Sequence, residues 1–281
     1  MNKPVLARSF SLFVLLCAGP FVAAQGDEPV TPSQPIQLFN GLDLKPFYSW
    51  LVDDGREDLS RVFSVVAEVD GAPALRISGE KWGGLITRRS YRDYRLTVEF
   101  RWGLISWGNR KKAARDSGVL VHCQAPDGNT ASDFNGPWMR SIEAQIIQGG
   151  VGDFILVAGF GLDGARTLPT LAVATSRDRD GEPVYDPEGP AQVFKGVRIN
   201  WYGRDPDWRD ELDFRGRRDV ESRVDEWTRL EVICDRDRIT NVVNGTVVNR
   251  GLQSSLTSGK ILFQSEGAEI YFRRIELKPL R

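Results

Sequence analysis

Short segments in which apolar and polar residues alternate recur along almost the whole chain, and they constrain its fold more than any other feature. Alternation is typical of β-strands, because successive side chains of a strand point to opposite faces of the sheet. Turn-forming dipeptides separate several segments, and Asn244-Gly245 between two of them predicts a two-residue hairpin. No segment has a sustained helical period with signals for both helix ends. The clearest predicted strands are 62–69, 74–78, 85–88, 94–102, 118–123, 142–147, 154–158, 227–234, 239–243, 246–249, 261–264 and 269–277.

Many short strands without helices predict an all-β fold of two packed sheets, a sandwich or jelly roll. Region 161–226 breaks the rhythm, because it is rich in Gly, Pro, Asp and Arg and has only short apolar runs. We expect it to form a long loop excursion, a rim or lid over the sandwich. Its aromatic residues, Trp201 and Trp208 among them, argue against disorder. The sequence therefore predicts a single β-sandwich domain over 36–281 with an insertion at about 161–226.

The N-terminus has the features of an export signal. Lys3 and Arg8 accompany a short apolar run at 10–17, and Val22-Ala23-Ala24 supplies the small residues of a cleavage site. The pattern predicts a signal peptide over 1–24, a flexible leader over 25–35 and a mature protein that is periplasmic or extracellular. The apolar run is too short for a stable bilayer anchor, so no transmembrane anchor is expected after cleavage.

Charge and cysteine content narrow the remaining possibilities. The net charge is -1 and the arginines are mixed with aspartates and glutamates, which argues against nucleic acid as a partner. After the predicted cleavage, Cys123 and Cys234 are the cysteines that remain. A disulfide between them and a pair of buried free thiols are both compatible with an exported protein.

The predicted strand around 141–147 places polar side chains on one of its faces. Glu143 and Gln145 alternate with apolar residues and so share that face. The nearby segment 118–123 carries His122, the only histidine of the chain. If the two strands are neighbours, a carboxylate, an amide and an imidazole would line one concave surface. This combination indicates a polar ligand, with a solvated Glu143 and a buried, hydrogen-bonded His122 as the alternatives.

Other residues near these strands are candidates for binding the ligand. An arginine provides a counter-charge for Glu143, and tryptophans in loops or at strand ends offer flat faces to sugar rings. Trp82 also lies in a predicted loop or strand end and is a candidate for the same reason. The candidate substrate-binding residues are Arg140, Trp138, Trp107, Lys112 and Gln148.

Several short motifs occur in the same order as in one known family. They are the segments 38–44, 84–87, 94–101, 116–119, 142–146, 226–228, 243–245, 259–264 and 272–275. With them, the chain resembles the bacterial family named for 3-keto-disaccharide hydrolases, also described as 3-keto-glucoside 1,2-lyases and 3-keto-2-hydroxy-glucal hydratases. The resemblance spans about 36–280. Asp116 and Arg274 depart from it, because each replaces an asparagine of the family pattern.

The resemblance implies a concanavalin A-like jelly roll that acts on oxidised glycosides. A ketone at C3 of the sugar acidifies the proton at C2, so that a base can remove it and the aglycone can leave from C1. On this reading, His122 or Glu143 is the base. Gln145, Arg140 or Lys112 holds the enolate and the sugar hydroxyls. Alternatively, Glu143 and His122 together bind a divalent metal ion, which would be a cofactor.

Three functions are compatible with the sequence. The first is an exported enzyme that cleaves glycosidic bonds of 3-keto-glycosides by elimination and hydration, or by hydrolysis. The second is a non-catalytic, lectin-like carbohydrate-binding module, and the third is a cell-surface protein-interaction domain. An ordinary glycoside hydrolase uses two opposed carboxylates. Glu143 has no obvious partner in the sequence, which favours elimination.

Overall fold

The computed structural model describes Met1 and residues 28–280, and strands dominate it. The predicted signal peptide, apart from Met1, lies outside the described residues. A short 3-10 helix spans Gly108–Lys111. In the described part of the chain, no helix is long and apolar enough to cross a membrane. The strands are β1 (Ile36–Gln37), β2 (Phe47–Leu51), β3 (Phe63–Val69), β4 (Ala72–Ile77), β5 (Gly83–Thr87), β6 (Tyr94–Ser106), β7 (Asp116–Gln124), β8 (Arg140–Ile147), β9 (Phe154–Val157), β10 (Gly159–Phe160), β11 (Arg166–Thr167), β12 (Thr170–Arg177), β13 (Pro183–Tyr185), β14 (Ala191–Lys195), β15 (Arg198–Ile199), β16 (Thr228–Asp235), β17 (Arg238–Val243), β18 (Thr246–Leu252), β19 (Lys260–Ser265) and β20 (Ala268–Lys278).

The strands form two large antiparallel sheets. One has seven strands in the order β15-β9-β8-β7-β19-β5-β2. The other has eleven strands along the path β13-β12-β18-β17-β16-β6-β20-β4-β3, with β1 beside β20 and β14 beside β12. Strands β10 and β11 make a separate ribbon. This architecture confirms the predicted all-β, two-sheet jelly-roll sandwich, and every predicted strand overlaps a strand of the structure.

The main hydrophobic core lies between the two sheets. Its aromatic centre joins both of them: the ring of Phe263 on β19 is 6.0 Å from that of Phe47 and 5.4 Å from that of Phe272, in edge-to-face arrangements. The contact of Phe263 with Phe272 on β20 crosses from one sheet to the other. Alternation along β7 and β8 sends Val119 and Ile142 into this core, so their neighbours in sequence face the other way.

The side of the seven-stranded sheet that is turned away from the core is called the outer face below. A second apolar cluster covers half of it. The segment 125–139 folds over this half, and Trp50 Nε1 donates a hydrogen bond of 2.9 Å to Gly136 O. The other half of the outer face is polar. The buried residues of the second cluster are Ile86, Leu120, Cys123, Met139 and Leu262.

Region 161–226 contains five strands, β11 to β15. Strand β12 pairs with β18, and β15 pairs with β9, so the region extends both sheets. Trp201 is buried, and the Nε1 of Trp208 donates to Gln148 O at 2.9 Å. The predicted excursion is thus built onto the sandwich by sheet pairing. Part of the predicted leader also packs on it, since Val30 N donates to Ser90 O at 2.9 Å.

The two cysteines are separate free thiols in this structure. Cys123 belongs to the second apolar cluster on the outer face, whereas Cys234 lies in the main core beside Tyr94. Burial raises the pKa of both thiols, to about 12 for Cys234. Of the two arrangements left open by the sequence, the structure has the buried free thiols.

Candidate active site

Strand register brings the polar residues of the outer face together. Gln145 on β8 pairs with Gly118 on β7, and Glu143 pairs with the next outward-facing residue of β7. On β19, Gln264 pairs with Gly84 of β5 and follows the pairing of Phe263 with β7. Because residues paired across strands share a face, these side chains surround Gly118.

Gly118 leaves room that any other residue would fill. A Cβ atom at this position would lie 2.2 Å from Glu143 Oε1 and 2.3 Å from Gln264 Oε1. Within residues 28–280, neither oxygen has a hydrogen-bond partner, although both are buried. A protonated Glu143 can donate to Gln264 Oε1, and an ionised one can accept from the amide NH2 group after the amide turns over. Gly118 therefore forms the floor under two converging polar groups.

Glu143 is a carboxyl group kept out of water, with only 3% of its surface exposed. Burial, followed by repulsion from Asp116, raises its pKa to about 8, and Arg198 and Gln264 oppose this rise. At neutral pH the carboxyl is mostly protonated and can donate a proton, whereas just above neutrality it becomes a base. A carboxyl group with this pKa can act as an acid and as a base in successive steps.

Two further carboxyl groups lie close to Glu143 on the outer face. Burial raises the pKa of Asp116 to about 7, and burial next to Asp116 and Glu143 raises the pKa of Glu266 well above its ordinary value. Arg110 donates to Asp116 Oδ2, and its Nη2 is 3.7 Å from Glu266 Oε1. The sequence showed no partner for Glu143, but the fold supplies carboxyl neighbours. In the sequence, the one sign of these neighbours is Asp116, which replaces an asparagine of the family pattern.

A cation reaches the same face from region 161–226. Arg198 on β15 pairs with Ile155 of β9, and Ile155 in turn pairs with Glu143. The Arg198 side chain is 33% exposed, and its Nε is 3.7 Å from Asp153 Oδ2. Its charge lowers the pKa of Glu143 and of Asp116 against the dominant effect of burial. Sequence reasoning missed Arg198, because nothing in a Gly- and Pro-rich region indicated which sheet its short strands join.

His122 does not belong to this group of residues. It lies in a bulge of β7, with φ 56°, and its Nδ1 is 2.9 Å from Leu256 O. Its ring is 5.9 Å from that of Tyr94, which belongs to the main core between the sheets. Burial lowers its pKa to about 4, so the imidazole is neutral at physiological pH. The expectation that His122 and Glu143 line one surface is therefore wrong, because the bulge interrupts the alternation on which it rested.

The same geometry bears on the suggested metal ion. His122 and Glu143 face opposite sides of the sheet, so they cannot share one ion. Across residues 28–280, no group of three or more His, Cys, Asp and Glu side chains is arranged to hold a metal.

The predicted substrate-binding residues lie in different places. Trp138 stacks on Trp82 beside the outer face, with ring centroids 5.5 Å apart. Trp107 is half-buried and its Nε1 donates to Ser78 O at 2.9 Å. Lys112 is exposed, and its carbonyl accepts a hydrogen bond from the backbone of the excursion. Arg140 has the same position in the alternation as Ile142, so its side chain is on the other side of the strand from Glu143.

Gln148 lies just beyond β8 and binds the excursion. Its Oε1 accepts from the backbone N–H of Arg115 at 3.0 Å and of Asp213 at 3.2 Å. It also lines a pocket of about 500 Å³ between the sandwich and residues of region 161–226, among them Phe214 and Val224. Of the predicted site residues, the structure brings Glu143 and Gln145 together on the outer face and directs His122 and Arg140 to the other side of their strands.

Comparison with known proteins identifies the family. The model of the 3-keto-alpha-glucoside-1,2-lyase-like domain matches residues 34–278. The chain belongs to this family. The match confirms the resemblance seen in the sequence and makes the protein a member of a glycoside-acting, lyase- or hydrolase-like family. No curated protein matches the chain.

Solved structures similar to this 3-keto-alpha-glucoside-1,2-lyase-like chain are distant in sequence. Two crystal structures of proposed glycosyl hydrolases from Parabacteroides distasonis ATCC 8503 share 17% and 16% identity, with TM-scores of 0.45 and 0.48. The alignments cover 88% of this chain in both cases, and 94% and 100% of the other chains. The carbohydrate-binding module CBM66 from Bacillus subtilis shares 12% identity with a TM-score of 0.37, over 76% of this chain and 91% of the module.

The raised pKa of Glu143 predicts a pH-dependent stability difference for Glu143→Gln. The unfolded carboxyl titrates near 4.5 and the folded one near 8, so between these values the unfolded state binds fewer protons and wild-type stability falls as pH rises. Glutamine has no such loss. The free energy of unfolding of the variant relative to wild type should therefore increase from pH 5 to pH 8, by on the order of a few kcal/mol.

Urea denaturation at several pH values measures this difference. The exposed Glu68, substituted by Gln, is the matched control and should keep a constant offset from wild type. A Glu143→Gln offset that is equally independent of pH would contradict the raised pKa.

Proposed function

We propose that this protein cleaves 3-keto-glycosides by elimination across C1 and C2 of the oxidised sugar, with Glu143 as the base. The observation that carries the proposal is the buried Glu143 carboxyl above Gly118, with its pKa near 8 and Oε1 unpartnered among the described residues. Family membership supports a glycoside as substrate. A base with this pKa is suited to removing a carbon-bound proton near neutral pH.

The reaction has two steps, an elimination and a hydration. Ionised Glu143 takes the proton from C2, and the electron pair of the broken C2–H bond forms an enolate with the C3 ketone. When the enolate collapses to the ketone, the C1=C2 double bond forms and the bond from C1 to the aglycone oxygen breaks. The aglycone oxygen takes up a proton. Water then adds at C1 and a proton returns to C2, so the net result is cleavage of the glycosidic bond.

The neighbours of Glu143 fit the remaining roles. Arg198 brings a partly exposed positive charge to the face where the enolate oxygen develops negative charge. Once it has taken the C2 proton, Glu143 is itself a carboxylic acid suited to protonating the aglycone oxygen, and the negative charge of Asp116 beside it raises its affinity for that proton. Gln145 and Gln264 offer amide groups to the sugar hydroxyls. Of the two bases that the sequence left open, the proposal takes Glu143, and it assigns no step to a metal ion.

Substitution of Glu143 by Gln tests the base. Release of 4-nitrophenol from a 3-keto-glucoside should fall by about 10²–10⁴-fold, which is the usual contribution of a general base. The control Glu68→Gln should keep wild-type rates. Reaction in D2O distinguishes the chemistry, because elimination and hydration place deuterium at C2 of the product whereas direct hydrolysis does not. Unchanged turnover in Glu143→Gln would remove Glu143 from the mechanism, and sugar binding without any release would favour the lectin-like alternative.

Removal of the positive or of the negative charge next to Glu143 should shift the pH–rate profile in opposite directions. The value of kcat/KM should rise with pH through the pKa of Glu143. Arg198→Gln removes a cation that lowers this pKa, so the profile should move to higher pH. Asp116→Asn restores the asparagine of the family pattern and removes a repulsive charge, so the profile should move to lower pH. The exposed Arg177→Gln should leave the profile in place, and shifts of the same sign in both test variants would contradict the assignment.

We also propose that the protein acts outside the cytoplasm, because the N-terminal segment has the charge, apolar run and small residues of a signal peptide. Expressed with its own N-terminus in a bacterial host, the protein should be recovered from the periplasm or medium. N-terminal sequencing should then show a start near Gln25. Recovery of the chain from the cytoplasm with Met1 retained would contradict export.

A further inference from the structure

Trp82 presents an indole ring to solvent in a fixed orientation. It is 40% exposed, although a residue of this size buries a large apolar area when it is packed. Trp138 holds it from one side, with the ring centroids 5.5 Å apart and the planes inclined by 27°. Trp138 is held in turn, because its Nε1 donates to Gly83 O at 3.2 Å. The exposed ring is therefore a rigid platform.

The space beside Trp82 is a pocket with acidic walls. Its volume is about 370 Å³, and Val52 and Pro137 supply further apolar surface. Asp53 and Glu80 are exposed and line it, and within residues 28–280 neither forms an ion pair. The remaining lining residue, Lys81, is already engaged: its Nζ is 2.6 Å from Asp54 Oδ2.

We propose that this pocket binds an unoxidised pyranose ring that is neutral or carries an amine. The C–H face of such a ring packs on an exposed indole, which is apolar and negative at its face. Asp53 and Glu80 accept hydrogen bonds from sugar hydroxyls or from an ammonium group. The same two carboxylates repel uronic acids and sulfated sugars. The pocket thus selects sugars by charge.

The platform lies beside the residues around Gly118 and is separate from them. Gly83, next to Trp82, pairs with Ser265 on β19, the strand that carries Gln264. A sugar on Trp82 would therefore sit at the edge of the same outer face. Its binding does not depend on the proposed elimination, because the platform needs neither a ketone nor Glu143.

Titration of the protein with cellobiose, methyl β-glucoside, glucosamine and glucuronate tests the proposal, with saturation-transfer NMR and calorimetry as readouts. Trp82→Ala should weaken binding of the neutral sugars and glucosamine by about tenfold or more, equivalent to at least 1.4 kcal/mol. Trp82→Phe keeps an aromatic face and should stay within a few-fold of wild type. The matched control Tyr202→Ala removes another exposed aromatic ring, 51% exposed, and should have no effect.

The results that would contradict the platform differ from those that would contradict the proposed reaction. Equal binding by wild type and Trp82→Ala, or no binding of any of these sugars, would overturn the platform even if 3-keto-glucosides are cleaved. Trp82-dependent binding without cleavage would leave the platform standing while the proposed reaction fails. The double variant Asp53→Asn with Glu80→Gln should admit glucuronate. Wild-type protein that binds glucuronate as tightly as methyl glucoside would refute the charge selection.

Discussion

The burial of the Glu143 carboxyl beside Asp116 is the constraint on which the polar half of the outer face depends. A carboxyl group removed from water favours its neutral form, and a neighbouring carboxylate strengthens this preference. Two cations oppose this preference: Arg110 donates to Asp116, and Arg198 lowers the pKa of Glu143 from the edge of the sheet. Gly118 gives the carboxyl its space.

The sandwich provides this environment because the outer face of the seven-stranded sheet has an apolar half and a polar half. Segment 125–139 covers the apolar half of the outer face, and this half begins next to Glu143, because its pairing partner Leu120 belongs to the apolar cluster. The other half keeps its polar side chains, and the stacked pair Trp82 and Trp138 lies beside the outer face, with Trp138 packed on the apolar cluster. Acid–base groups and an aromatic edge are thus neighbours on a surface set by strand register. An enzyme acting on glycosides can use both.

Local sequence was sufficient for most of the sandwich, since alternation in segments such as 94–102 and 261–264 is a property of a few adjacent residues. It also placed Glu143 and Gln145 on one face, because β8 is regular. It failed at His122, where a bulge in β7 changes the face without any mark in the residue pattern. It could not find Arg198, whose role depends on a sheet pairing between residues far apart in the chain.

The origin of Arg198 has a consequence for how the acidity of Glu143 is set. Glu143 belongs to the sandwich, whereas the cation that opposes the rise in its pKa comes from β15 in region 161–226. Changes in the length or path of that region can therefore shift the pKa of Glu143 without any change at Glu143 itself. If Glu143 is the base, as proposed, the pH at which this protein works would be set partly by an inserted region and not by the sandwich alone.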